Sequence, residues 1–96
     1  MTNTPAAHLN LPASRFEIAM PHGVAVLTFK RSGNTIDLQH AFVPPALEGG
    51  GYGSTLARAA LDYARDHQLK VIPTCEFVQA FMKRHTEYDD LRDSAT

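Results

Sequence analysis

From residue 15 onward, apolar and polar positions follow two successive rhythms. Phe16 and Ile18 share one side of the run Arg15 to Met20, with Arg15 and Glu17 on the other, and this period of two predicts a short strand. Pro21-His22-Gly23 reads as a turn. Val24 to Phe29 follows, β-branched and aromatic with few polar gaps, which predicts a second strand covered at least partly on both faces. Ser32-Gly33-Asn34 marks another turn, and Thr35 to Val43 is a third strand, so residues 15 to 43 form an antiparallel meander that Pro44-Pro45 stops.

At Ser54 the period lengthens. Leu56, Ala60, Tyr63 and Ala64, with Ala57 and Leu61 beside them, recur at helical spacing while Arg58, Asp62, Arg65 and Asp66 take the polar side. Abundant alanine lets this helix approach a sheet closely. His67-Gln68 ends it, and Leu69 to Thr74 is a fourth strand. A helix joining the third and fourth strands makes those two parallel. Pro73 lacks a donor N–H, so it marks an edge or a place where neighbouring strands part. A second helix spans about Phe77 to Lys83, and in the acidic stretch that follows only Tyr88 and Leu91 can pack. The expected order is β-β-β-α-β-α, an α+β arrangement.

The first dozen residues have no clear period. They predict a loosely ordered lead-in over 1–14, a single domain over 15–92 and a tail over 93–96. At 96 residues the chain has room for one core, and 44% apolar with 20% charged residues suits a folded globular protein. A formal charge of -1 supplies no basic field for general nucleic-acid binding, so no nucleic-acid partner is expected. The lone cysteine, Cys75, cannot close an internal disulfide, which points to a reducing cytoplasm. No apolar run approaches the roughly 20 residues that cross a bilayer, and the N-terminus has no export-signal pattern. A domain this small is expected to be a monomer or a weak homodimer that covers a sheet edge. The five histidines never approach the spacing of zinc ligands, so no metal site is expected. Phe29, Phe42, Phe77 and Phe81 read as core.

The chemistry concentrates in Glu48-Gly49-Gly50-Gly51-Tyr52-Gly53-Ser54, between a strand and a helix. Glycine N–H groups there can curl around phosphate oxygens, and the helix start adds donors of its own. A dinucleotide fingerprint would need these glycines after the first strand of a βαβ unit, and a Walker A loop would need Gly-Lys-Ser or Gly-Lys-Thr; neither is present. Three readings remain open: a tight connection, a phosphate cradle and a protein-binding loop.

The segment Val43 to Leu56, together with Ile36-Asp37-Leu38-Gln39-His40, Ile72-Pro73-Thr74-Cys75-Glu76-Phe77-Val78 and His85 to Tyr88, resembles the GCN5-related N-acetyltransferase superfamily, and in particular its minimal single-domain branch. The likeness runs from about Phe16 to Leu91. It implies a three-layer α/β fold whose third and fourth strands splay apart, with acetyl-CoA as acyl donor and an amine as acceptor. The donor's arm would pair with backbone at His40, Ala41, Phe42 and Val43, and its diphosphate would sit on Glu48, Gly49, Gly50, Gly51, Tyr52, Gly53 and Ser54. Where the family pattern has Arg or Gln, this chain has Glu48, whose carboxylate repels a diphosphate if it points inward. A non-catalytic CoA-binding or protein-interaction module of the same fold is the alternative.

Within that resemblance Cys75 and His40 are the candidate catalytic residues. Cys75 precedes the second helix, where a thiol can be activated; it can equally be a small buried hydrophobe. By period-two counting His40 shares a face with Ile36, Leu38 and Phe42, which makes it either a partly buried sheet histidine or a base near neutral pH. Tyr88 is a weaker candidate for the proton donor, and Lys83 and Arg84 for the 3′-phosphate.

Overall fold

The computed structural model describes residues 6–93. Its strands are β1 (His8–Asn10), β2 (Arg15–Met20), β3 (Gly23–Ser32), β4 (Thr35–Phe42) and β5 (Lys70–Ile72); its α-helices are α1 (Tyr52–Asp66) and α2 (Glu76–Arg84). Short 3-10 turns at Pro45–Leu47 and Thr86–Leu91 lead into α1 and follow α2. No helix of the described residues is long and apolar enough to cross a membrane.

All five strands form one sheet in sequence order. β1 to β4 pair antiparallel, and β5 lies parallel to β4 through Thr35↔Lys70, Ile36↔Val71 and Asp37↔Ile72. β1 corrects the expected loose lead-in: Leu9 stands opposite Phe16, so residues 8–10 belong to the sheet and the observed order gains a strand. Three residues are too few for a period to show. Residues 1–5 of the expected lead-in and 94–96 of the expected tail lie outside the described residues.

One face of the sheet carries the core. Phe16↔Leu27, Ile18↔Ala25 and Leu38↔Phe29 are opposed pairs with every member buried, and they join Leu56, Ala60, Leu61 and Ala64 of α1 with Val78, Phe81 and Met82 of α2 in one cluster. Opposite pairs on the other face, Glu17↔Val26 and Ala19↔Val24, are half-buried or exposed. The described residues therefore form two layers rather than the three expected, and β3 is fully covered on one side only. Its polar gaps are too few to disclose this, because Val24 and Val26 are apolar residues on the open face.

α1 ends on an unusual residue. Gln68 adopts φ 57°, the left-handed region, and the bonds Leu69 N–H to Ala64 C=O at 2.8 Å and Gln68 N–H to Arg65 C=O at 3.2 Å close a Schellman cap. The segment after α2 then folds back over α1. Tyr88 and Leu91 are buried, and the Tyr88 hydroxyl donates to Asp62 at 2.7 Å.

Candidate active site

Two prolines and four glycines shape the first half of the site. Pro45 opens the 3-10 turn, whose bonds Leu47 N–H to Pro44 C=O and Glu48 N–H to Pro45 C=O turn the chain back on itself. Gly49 and Gly51 then take φ 88° and 78°, where a side chain is strained, and Gly51 caps α1 through its carbonyl, which accepts from Thr55 N–H and Thr55 Oγ1. No side chain caps this helix. The N–H groups of Gly49, Gly51, Tyr52, Gly53 and Ser54 consequently have no acceptor among the described residues. They border a depression of 250 Å³ lined also by Val43, Leu47, Glu48 and Phe77. Free donors at a positive helix end, with no Cβ at the two left-handed glycines, suit an anion.

The second half is the wedge between β4 and β5. Their ladder stops at Asp37↔Ile72, yet β4 runs on to Phe42, so its outer edge past Leu38 has no strand beside it. Pro73 lies immediately past the last rung, as a residue without a donor should. Two bonds hold the root of the wedge: Thr74 Oγ1 to Asp37 Oδ1 at 2.5 Å, and Cys75 N–H to Leu38 C=O at 2.8 Å. Above them opens a cleft of 330 Å³ lined by Gln39, His40, Ala41, Thr74, Cys75, Glu76 and Phe77. Cys75 is the N-cap of α2 and is 8% exposed. It is buried with the core and also lines the cleft.

His40 corrects the period-two count. Phe29 stands opposite Leu38 but Thr28 stands opposite His40, which leaves Gln39 as an extra residue in a β-bulge. Beyond the bulge every side chain changes face. Ala41 now joins the side of Leu27, while His40 and Phe42 turn outward and are exposed. His40 therefore lines the cleft as a solvent-accessible imidazole instead of packing beside Leu38.

The remaining expected residues divide. Val43, Glu48, Gly49, Gly51, Tyr52, Gly53 and Ser54 come together around the first depression, and His40, Ala41 and Cys75 around the second. Phe42 and Gly50 border neither. Gly50 spends its N–H on Leu47 C=O at 3.4 Å and lies so close to the Tyr52 ring that a Cβ would stand 2.3 Å from it. The Glu48 N–H is likewise committed, and its side chain is exposed. Tyr88 is no free acid at the wedge: its hydroxyl contacts Asp62 and Arg58, and burial first, then the bond to Asp62, raises its pKa above the ordinary tyrosine value. Lys83 and Arg84 sit exposed in the last turn of α2, where the helix dipole favours cations.

Phe42 and Phe77, both expected in the core, lie outside it. Phe29 and Phe81 are buried, but Phe77 is 38% exposed and Phe42 50%. The helical period carried the signal, since Val78, Phe81 and Met82 at spacings of three and four already fill the inward face of α2 and leave Phe77 beside it.

A larger depression of 370 Å³ runs along α1 past Ala6, Ala7, Thr55, Arg58, Ala59 and Asp62 and shares only Ser54 with the glycine loop. Among the described residues, no three His, Cys, Asp or Glu side chains gather as ligands of a metal ion would.

A family model described as GCN5-related N-acetyl-transferase matches residues 15–91. Protein NATD1 of Homo sapiens is 42% identical over 65 residues, 67% of this chain and 58% of that protein; protein NATD1 of Xenopus tropicalis is 40% identical over 65 residues, 67% of this chain and 60% of that protein. The matched part thus spans about 60% of the length of these curated relatives. The solution structure of a GCN5-like protein from Staphylococcus aureus, 26% identical, superposes with a TM-score of 0.71 over 91% of this chain and 86% of that one.

Proposed function

The chain belongs to the GCN5-related N-acetyltransferase family, and from that premise we propose that it transfers the acetyl group of acetyl-CoA to a primary amine, on a small molecule or on a protein. The observation that carries this reading is the row of free N–H groups at Gly49, Gly51, Tyr52, Gly53 and Ser54, set beside a wedge where β4 has lost its parallel neighbour. The fit to a diphosphate is good. Five N–H groups on residues that line one depression have no acceptor among the described residues, and the left-handed glycines leave nothing within 4 Å of where a Cβ would stand at Gly49 or Gly51.

In this reading the diphosphate rests on those N–H groups, and the end of β4 with the residue after it, His40 to Val43, pairs through its backbone with the amide-bearing arm. Ala41 and Phe42 contribute backbone there, so the outward turn of the Phe42 side chain does not matter. The thioester then arrives beside His40 and Cys75. His40 is the base: its imidazole removes the proton that the amine loses as the nitrogen bonds to the carbonyl carbon. The bond from that carbon to sulfur breaks, and the departing thiolate needs a proton. In this reading Cys75 supplies it, or accepts the acetyl group before the amine does.

Calorimetric titration with acetyl-CoA at low salt, followed by a thiol-release assay against a panel of amines, tests the proposal. Saturable binding with release that depends on an amine supports it. Silence at millimolar acetyl-CoA sinks it, and binding without turnover against any amine favours a non-catalytic CoA-binding module.

A further inference from the structure

Phe77 is the one side chain that lines both the glycine depression and the cleft at Cys75. Its ring lies against Gly53, so close that a Cβ on that residue would stand 2.8 Å from the ring's Cζ. The ring is nonetheless 38% exposed, with solvent on its free side. Backbone bonds fix the position from which it projects. Cys75 N–H is held by Leu38 C=O at 2.8 Å, and Cys75 C=O accepts Gln79 N–H at 3.0 Å to start α2. Only the side-chain torsions are free to move it. A residue in a helix has two staggered χ1 wells open to it, so a turn away from Gly53 requires no backbone change.

We propose that Phe77 is a positioning residue, a ring that partitions the two depressions and turns off Gly53 so that the arm of the acyl donor can cross from the phosphate loop to Cys75. This rests on the acetyl-CoA reading above and adds to it a moving part. A diphosphate on the glycine loop and a thioester at Cys75 must be joined by a chain that passes Phe77, because this residue borders both spaces. Once turned, the ring offers an apolar face to that chain and shields it from water. Gly53 is needed as glycine for the same reason: it makes room for the ring in the partition position.

The chain contains no tryptophan, so Phe77→Trp places a single fluorescent reporter at the partition. It is titrated with acetyl-CoA, with CoA and with ADP, while calorimetry on the unsubstituted chain records binding of each. The expected result is a shift in emission with acetyl-CoA and CoA, which carry the arm, and none with ADP at concentrations where calorimetry shows it bound. Phe77→Leu is the second variant, should tryptophan not be accommodated. With no ring to turn off Gly53 before the arm can cross, it should raise the association rate of acetyl-CoA by about two- to tenfold, the range of one side-chain rotamer step. Binding of acetyl-CoA with unchanged emission and an unchanged association rate overturns the partition alone, as does the same emission shift with ADP. No calorimetric heat with acetyl-CoA overturns the donor reading and the partition with it.

Discussion

The N–H of Cys75 donates to the carbonyl of Leu38 across 2.8 Å, just beyond the last rung of the β4–β5 ladder at Asp37↔Ile72. This backbone bond fixes Cys75 at the floor of the wedge and does not depend on its side chain. Cys75→Ala should therefore keep the fold, losing about 1 kcal/mol for the deleted buried atom. Turnover should fall by about a hundredfold, the usual loss on deleting a proton donor or nucleophile. Mass spectrometry after incubation with acetyl-CoA tells the two roles apart: an acetyl adduct that Cys75→Ala abolishes marks an acetyl-cysteine, and a fall in turnover with no adduct in either chain marks a proton donor.

In the acetyl-CoA reading the diphosphate takes the depression at the glycine loop, which Glu48 lines with an exposed side chain although its own N–H is committed to Pro45 C=O. Its contribution to binding is thus unfavourable charge with no compensating donor. Glu48→Gln should tighten acetyl-CoA binding by about two- to fivefold at low salt, as expected for a charge held several ångströms away in water-like surroundings. At high salt the gain should shrink, because the Debye length falls. An affinity change that salt does not alter would show that Glu48 acts by shape.

The meander, α1 and α2 were legible because their periods survive in the sequence: Phe16 and Ile18 alternate, and Val78, Phe81 and Met82 repeat at helical spacing. Pro73 marked an edge or a parting of strands without deciding between them, and the splay itself came from the family resemblance. The bulge at Gln39 was not legible, since an inserted residue changes the phase of a strand without changing its composition, and so the face of His40 was lost. α1 begins at Tyr52, two residues before its apolar pattern does, because the left-handed turn at Gly51 and not the helix propensity of Gly53 sets its start. Cover on both faces was expected from the apolar run Val24 to Phe29 and from the family resemblance, because Val24 and Val26 on the open face look no different in sequence from buried strand residues.

Gln68 holds φ 57° at the position after the α1 C-cap, where glycine is the favoured residue. A left-handed conformation costs a side-chain-bearing residue roughly 1–2 kcal/mol, part of which glycine gives back through the freedom it gains when unfolded. Gln68→Gly should therefore raise stability by about 0.5–1 kcal/mol and the melting temperature by roughly 2–8 °C for a domain of this size. Its exposed side chain is remote from the wedge, so acetyl-CoA binding should not change.

Asp90 accepts two hydrogen bonds from Arg65, at 2.9 and 3.0 Å, and these bonds hold its carboxyl below the ordinary aspartate pKa. A depressed folded-state value means that the carboxylate's contribution to stability is complete above the unfolded pKa, about 4, and is lost as pH falls through the folded value. Chemical denaturation measured from neutral pH downward should show a decline that Asp90→Asn reduces. The pair is exposed and screened, so salt should weaken its contribution at neutral pH as well.

Tyr88 tests whether the segment after α2 is structural or chemical. Its hydroxyl donates to Asp62 at 2.7 Å and lies 3.2 Å from Arg58 Nη1, and none of the three residues lines the cleft of His40 and Cys75. Tyr88→Phe removes the donor to Asp62 and should lower stability by about 1 kcal/mol, the net value of one such bond, while leaving turnover as it was. The pH dependence carries the same sign. Because burial and the Asp62 bond raise the folded-state pKa, the neutral hydroxyl supports the fold fully below the unfolded value near 10, and this support is lost as pH rises through the folded value. Tyr88→Phe should abolish that alkaline loss. A fall in turnover larger than the stability change explains would instead assign Tyr88 to the reaction.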